Sequence, residues 1–570
     1  MMAREEIKSL IEKAVKSLYR KEVEVKIERP AEMTYGDYAT NVAMTLKKNP
    51  QEIAYAVKSV ILEKVEVKNG FINFFLSKEY LQKEIEKILK QGEKFGQLKI
   101  GKNKKVQVEF ISANPTGPLT IGNSRGGPFG DVLGNVLKMA GFKVEKAYYI
   151  NDYGMQILAL GHSVLKDSQA KYKGDYIDYL NKKVKPAFSA RDKDPYKVGM
   201  KAAKIIVEEM IKKTTNRMKI KYDEWFSETS LHKPSFRVAK AKVKKRIYSF
   251  RQTTNQVDKV LETLKKKGLI YEKDGAKWFR SSKYGDERDR VVVKADGWKT
   301  YLAGDITYHQ YKFEKKKFDK VIDVWGADHH GDVPSLQAGI EALGYQGKLE
   351  IILHQFVTLL EKGEKKKMSK RKGVYVTMDE LLEEVGLDIV RFFFLQKSIN
   401  THLNFDSDLA KQQSEKNPVY YVQYAHARIC SILRKFKISA YRQGRQNSKV
   451  APSPKLWSVG DKITTQNLKL LEHPSELKLI KQLIRLPEVI EDTAKDFETQ
   501  RLPQYAIDLA TVFHQFYRDC RVLRSSNQIG AKEDQVSEEL SQARLGLILA
   551  TKIVLKNTLN LMGISAPEKM

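Results

Sequence analysis

Lys105 to Gly127 reads KVQVEFISANPTGPLTIGNSRGG, and its three parts decide the fold. Val106, Val108 and Phe110 alternate with Gln107 and Glu109, the period of a strand with one buried face. Pro115, Gly117 and Pro118 break that strand in a tight loop. From Asn123 the period becomes helical, with Val132, Leu133, Val136 and Leu137 on one stripe. A strand, a Gly/Pro loop and a helix start gather unpaired backbone N–H groups and the positive end of a helix dipole at one point, where polyphosphate binds well. An ordinary βα turn has the same pattern, so the loop alone does not declare a function.

The same alternation of strand and helix extends over residues 102–400, through FKVEKAYYI (Phe142 to Ile150), KVIDVWG (Lys320 to Gly326) and LEIILHQFV (Leu349 to Val357). It predicts an α/β core, a Rossmann-like doubly wound parallel sheet, with a basic helical insertion at about 165–270. Ligands of such sheets sit beyond the carboxyl ends of the strands, and Asn114, Asp152, Asp305 and Asp328 all follow strand-like runs. Residues 1–95 read as an α+β domain, with Ile7, Leu10, Ile11, Ala14, Val15 and Leu18 at helical spacing and short strands at Val23 to Ile27 and Phe71 to Leu76. From 405 to 570 the strand signal stops and an all-α helical bundle is expected, interrupted by a basic Gly/Pro/Ser-rich loop from Ile438 to Glu472.

Among the 570 residues, 102 Lys and Arg oppose 70 Asp and Glu, a net charge of +32 that suits a nucleic-acid partner. General solubility would account for the charge as well. Two cysteines, Cys430 and Cys520, leave no disulfide framework or cysteine zinc site. No run is apolar and long enough for a membrane span, and the cytoplasm is the default compartment.

A second short stretch supplies the chemistry. Lys367-Met368-Ser369-Lys370 follows an expected apolar strand, Ile351 to Leu360, through a turn, some 240 residues after the Gly/Pro loop. It resembles the second signature of the class I aminoacyl-tRNA synthetases; the first, H-x-G-H, falls on Thr120-Ile121-Gly122-Asn123. SANPTGPL (Ser112 to Leu119), YYINDYG (Tyr148 to Gly154), YLAGD (Tyr301 to Asp305), WGADHHG (Trp325 to Gly331) and NPVYYVQYAHAR (Asn417 to Arg428) narrow the likeness. From about Thr34 to Met570 the chain resembles the arginyl-tRNA synthetases.

The resemblance implies an arginine–tRNA ligase using ATP and Mg²⁺. It would be a monomer, its partners L-arginine and tRNA(Arg), with no DNA and no membrane involved. The N-terminal domain would touch the corner of the tRNA and the helical bundle would bind the anticodon. Lys367 and Lys370, with Thr120 and Asn123, would be catalytic. ATP would meet Gly117, Pro118, Thr120, Gly122, Asn123, His330, Met368, Ser369 and Lys370. Arginine would meet Glu109, Asn114, Gln156, Glu228, Tyr301, Asp305 and Asp328, carboxylates being suited to the guanidinium fork. Tyr424, Arg428 and Met570 would contact tRNA. His329 and His330 have no third ligand spaced nearby, so no protein metal site is expected.

One departure stands out: both signature histidines are replaced, by Thr120 and Asn123. Hydrogen bonding survives, but an imidazolium does not. A non-catalytic tRNA-binding paralogue is the rival this raises; a glutamyl or cysteinyl enzyme of the same class is another. A carboxylate-rich pocket opposes the first of those sisters and the absence of a cysteine ligand set the second.

Overall fold

The computed structural model describes residues 2–184, 194–232, 235–236, 252–253, 255–365, 376–447, 465–522 and 536–570. The chain opens with helix Ala3–Tyr19, which buries Ile7, Ile11, Ala14 and Val15, one stripe at helical spacing. β1 (Tyr38–Thr40), β2 (Leu62–Lys68) and β3 (Phe71–Leu76) form an antiparallel sheet in the order β1-β3-β2. The run Val23 to Ile27, expected as a strand, joins no sheet; the next residue, Glu28, forms a single bridge with Ala39.

Next come β4 (Lys105–Phe110), β5 (Lys143–Ile150) and β6 (Glu224–Ser227), followed by a short antiparallel pair, β7 (Ser235–Phe236) and β8 (Gln252–Thr253). A separate antiparallel sheet holds β9 (Ile270–Lys273), β10 (Ala276–Phe279) and β11 (Arg290–Val293). β12 (Lys320–Gly326) and β13 (Leu349–His354) return to the main sheet; β14 (Val357–Glu361), β15 (Glu364–Lys365) and β16 (Leu403–Asp406) make a third small one.

The main sheet has the order β13-β12-β4-β5-β6 and is parallel throughout. From β4 the chain first builds outward to β5 and β6, then crosses to β12 and β13 on the other side. That reversal opens a crevice at the carboxyl ends of β4 and β12. Buried apolar residues of β4 (Val106, Val108, Phe110) pack on Val132, Leu133, Val136 and Leu137 of helix Gly126–Met139, the stripe expected from the sequence. Most of the described residues in the span 165–270 are helical, yet β6, which completes the main sheet, lies there too.

Two further expectations change. The apolar run from Ile351 to Leu360 is two strands in different sheets, because the chain breaks at Gln355 and Phe356. In the C-terminal bundle, helix Pro418–Asn447 runs well beyond Ile438, where a loop was expected, and residues 448–464 lie outside the described residues. Helices Pro474–Leu483, Leu486–Asp496, Arg501–Asp519 and Glu538–Leu561 follow. Pro487, at the start of the second of these, separates it from the helix before, since its ring and missing N–H suit a helix start and not a helix interior. Arg4 reaches Glu491 at 2.7 Å, and Arg29 and the Tyr38 hydroxyl both meet Glu488, tying the N-terminal domain to the bundle.

Candidate active site

A cavity of about 540 Å³ occupies the crevice. Its walls come from Glu109 and Asn114 of the β4 strand and loop, Thr120 to Asn123, Tyr149 near the end of β5 and Asn151 just past it, Gln156, Tyr301 and Asp305, and Asp328 after β12. Of the residues expected to meet arginine, Glu109, Asn114, Gln156, Tyr301, Asp305 and Asp328 share this one space, whereas Glu228 is not among its walls.

The β5–β6 side is acidic. Tyr301 opens helix Tyr301–Glu314 and Asp305 follows one turn later, so both side chains point the same way. Asp305 comes from this helix and not from the end of a main-sheet strand; the preceding β11 belongs to the small antiparallel sheet. Glu228, just past β6, sits behind Gly304, where a Cβ would come within 2.9 Å of Glu228 Oε1. Its Oε2 is buried with no hydrogen-bond partner, and Asn151 Oδ1 is in the same condition. Burial, then the neighbouring Asp152 carboxylate, pushes Glu228 up to about 8, the Tyr149 hydroxyl partly opposing. Burial and then Glu228 and Glu109 raise Asp305 well above the usual carboxylate range. Carboxyls lifted in this way have no close cationic side chain paired with them among the described residues, and a guanidinium placed beside them would restore their ionised form.

Beneath them lies a buried network. Lys312 Nζ contacts Glu109 Oε2 at 2.8 Å and Asp323 Oδ1 at 3.1 Å, while His309 Nε2 lies 2.7 Å from Asp323 Oδ2. His309 Nδ1 is 2.7 Å from the Asp305 carbonyl, which fixes the helical turn carrying Asp305. Burial works against ionisation of Asp323, but Lys312 and His309 hold it at about 2. The sequence reading missed this trio. Its signal was a His and a Lys three apart, eight and eleven residues after Tyr301, on the inward face of an otherwise apolar stripe.

The β12–β13 side is different. Thr120 caps helix Ile121–Ser124, its Oγ1 accepting from the Asn123 N–H at 3.3 Å and donating to Asn123 Oδ1 at 2.7 Å. That second bond orients the amide so that its NH₂ remains a donor. A Cβ at Gly122 would meet nothing closer than 4.0 Å, so a ligand can approach the backbone. Asp328 and His329 line the cavity, whereas His330 turns away, its Nδ1 on the Ala327 carbonyl at 3.2 Å. Gly117 and Pro118 also lie off the wall; Gly117 is buried beneath the Tyr176 ring. Asp152 receives hydrogen bonds from Ser227 Oγ and the Thr229 N–H and so braces the end of β6.

Lys367, Met368, Ser369 and Lys370 lie outside the described residues. The chain on either side of them is placed: β15 ends at Lys365, and Thr377 bridges to Thr120, with Ile121 N donating to Val376 O (3.3 Å) and Met378 N to Leu119 O (2.9 Å). Val376 to Met378 thus run beside the first signature.

In the bundle, Tyr424 is 41% exposed and stacks near Tyr420 and His514. Arg428 lies over the Tyr517 ring at 4.9 Å. Met570 is 55% exposed and borders a second cavity of about 530 Å³ together with Tyr420 and Gln423.

Comparison with known proteins agrees with this architecture. Family models match as the arginyl tRNA synthetase N terminal domain (residues 5–76), the tRNA synthetases class I (R) catalytic domain (84–407) and the DALR anticodon binding domain (422–570). The arginine–tRNA ligase of Carboxydothermus hydrogenoformans is 41% identical, covering 99% of this chain and 98% of its own length. That of Bacillus subtilis is 40% identical over 100% of this chain and 98% of its own. The Thermus thermophilus arginyl-tRNA synthetase structure, 21% identical, shares the fold with a TM-score of 0.72 over the whole of both chains. On its full-length relatives and on the catalytic-domain match across 84–407, the chain belongs to the arginyl-tRNA synthetase family.

Proposed function

We propose that the crevice is where this arginine–tRNA ligase joins arginine to ATP, with the acid cluster of Glu228, Asp305 and Glu109 holding the guanidinium and Thr120 to Asn123 holding the nucleotide. The observation that carries the reading is two buried carboxyls without a paired cation, Asp305 in the cavity wall and Glu228 behind Gly304, on one side, and a capped helix start on the other. Tyr301 and Gln156 would complete the guanidinium side, and Asn114 and Asp328, between the two ends, would take the α-amino group. The arginine carboxylate then attacks the α-phosphate, the bond to pyrophosphate breaks, and a ribose hydroxyl of the terminal tRNA adenosine displaces AMP. Catalysis here is mostly placement and neutralisation of developing charge. Lys367 and Lys370 would neutralise the outer phosphates. Among the described residues no three side chains could together hold a metal. Mg²⁺ would be held mainly by the phosphates and water, its usual habit, and would supply phosphate neutralisation. Residues 1–95 would meet the tRNA corner, and Tyr424, Arg428 and Met570 the anticodon loop. The working form would be a cytoplasmic monomer.

ATP–pyrophosphate exchange tests the reading: exchange should require arginine and tRNA(Arg) together. Tight tRNA binding without exchange would favour a non-catalytic paralogue, and exchange with a different amino acid a sister enzyme.

The pocket also predicts a pH dependence. A carboxyl raised to about 8 is protonated and neutral below that pH, whereas guanidinium stays charged. Binding must then expel a proton, so the arginine KM should fall as pH rises towards 8, by nearly tenfold per unit well below it, and level off above. A KM flat from pH 6 to 8.5, with tRNA binding constant, would remove Glu228 from the guanidinium site.

A further inference from the structure

Arg125 follows Asn123 by two residues and is completely buried. Its guanidinium donates to the carbonyls of Gln355 (2.8 Å), Phe356 (3.4 Å) and Ser398 (3.0 Å), and Nε has no partner. The other buried cations, Lys146, Lys312 and Arg391, each contact a carboxylate; no carboxylate pairs with Arg125 among the described residues. Burial lowers it only to about 10, so it remains charged at neutral pH. A buried charge without a counter-ion is costly and would be a poor choice if filling space were its task.

Its partners explain its place. Gln355 and Phe356 are where the apolar run breaks into β13 and β14. His354, Phe356 and Val357 line the cavity on the β12–β13 side, and burial together with Arg125 keeps the His354 ring neutral, at about 4. On the far side of the same loop, Leu119 and Ile121 hold Met378 and Val376. One short stretch, 119–125, thus fastens chain both before and after β14 and β15.

We propose that Arg125 is a positioning residue for the nucleotide: by fixing the His354–Val357 wall to the Thr120–Asn123 loop it sets the geometry of the ATP half of the cavity, not the arginine half. This rests on the reading of the cavity given above. A lysine keeps the charge but cannot span three carbonyls. In full-length enzyme with tRNA(Arg), Arg125→Lys and Arg125→Ala should raise the ATP KM in pyrophosphate exchange at least tenfold and lower kcat. The arginine KM should stay within threefold. Guanidinium chloride at tens of millimolar should restore part of the Arg125→Ala loss and should not help Arg125→Lys. Parallel changes in both KM values, or an unchanged ATP KM in either variant, would overturn the proposal. If Arg125→Ala does not fold, the KM split in Arg125→Lys decides alone. A failure of the underlying reading looks different, since the wild-type enzyme would then show no arginine-dependent exchange.

Discussion

Asp305→Asn should reduce kcat/KM for arginine by two to three orders of magnitude while tRNA binding stays within about twofold. The substitution keeps the shape and removes one charge from the cluster proposed to face the guanidinium. Removing one member of a desolvated, hydrogen-bonded charge pair costs about 2–5 kcal/mol, roughly thirty- to several-thousand-fold. The free enzyme should respond in the opposite sense. Asp305 is raised first by burial and next by Glu228 and Glu109, so without arginine its charge is a liability. The Asn variant should melt at the same temperature or a higher one, increasingly so as pH rises. Arginine kinetics together with an unliganded melt make the check. Unchanged kinetics, or a large loss of thermal stability, would show Asp305 to be a structural group.

What the sequence made legible follows where a local pattern controls the outcome. β4 and β12 were readable because each alternates or runs apolar between breakers, and a parallel strand buried on both faces has little freedom. Tyr301 and Asp305 could be paired because four residues make one helical turn. The stretch Ile351 to Leu360 misled because its break is made from outside: Arg125, some 230 positions earlier, takes the carbonyls of Gln355 and Phe356. No period within the stretch records that. The extension of the helix to Asn447 was hidden by Gly444 and by basic, polar residues that suit a solvated helix as well as a loop. The resemblance pointed to His330 for ATP, but the short helical turn Ala327–Asp332 brings His329 to the cavity wall instead. The Lys312–Asp323–His309 network joins a helix to a strand through charges that are unreadable until their burial is known.

Arg391→Leu should be the most destabilising single change, for reasons separate from the active site. Arg391 lies on helix Leu387–Leu395 and is completely buried. Its Nε donates to Met562 O (2.7 Å), one terminal nitrogen to Met218 O (2.8 Å) and the other to Asp131 Oδ2 (2.5 Å). Those partners belong to the end of the last helix, to the cap of helix Lys212–Arg217 six residues before β6, and to the helix that follows the Thr120 loop. Asp131 also takes Lys146 Nζ at 2.6 Å, so a 2:1 cluster of buried cations on one carboxylate joins the core to the bundle. Leucine fills much of the volume but leaves two carbonyls and half of the Asp131 carboxylate without donors. Breaking a buried pair in this way costs about 3–5 kcal/mol. At the few degrees per kcal/mol usual for domains of 150–250 residues, the melting transition should fall by roughly 10 °C. Gly563 sharpens the test: it has φ +67°, and a Cβ there would come within 2.5 Å of the Arg391 guanidinium. Gly563→Ala should therefore lower the same transition, by less, and the double variant should lose less than the two losses added, because they act on one cluster. At temperatures where Arg391→Leu stays folded, its arginine KM should match wild type. A melt within 2 °C of wild type would mean that the core and bundle are held together elsewhere, with the Arg4 and Arg29 contacts the next to remove.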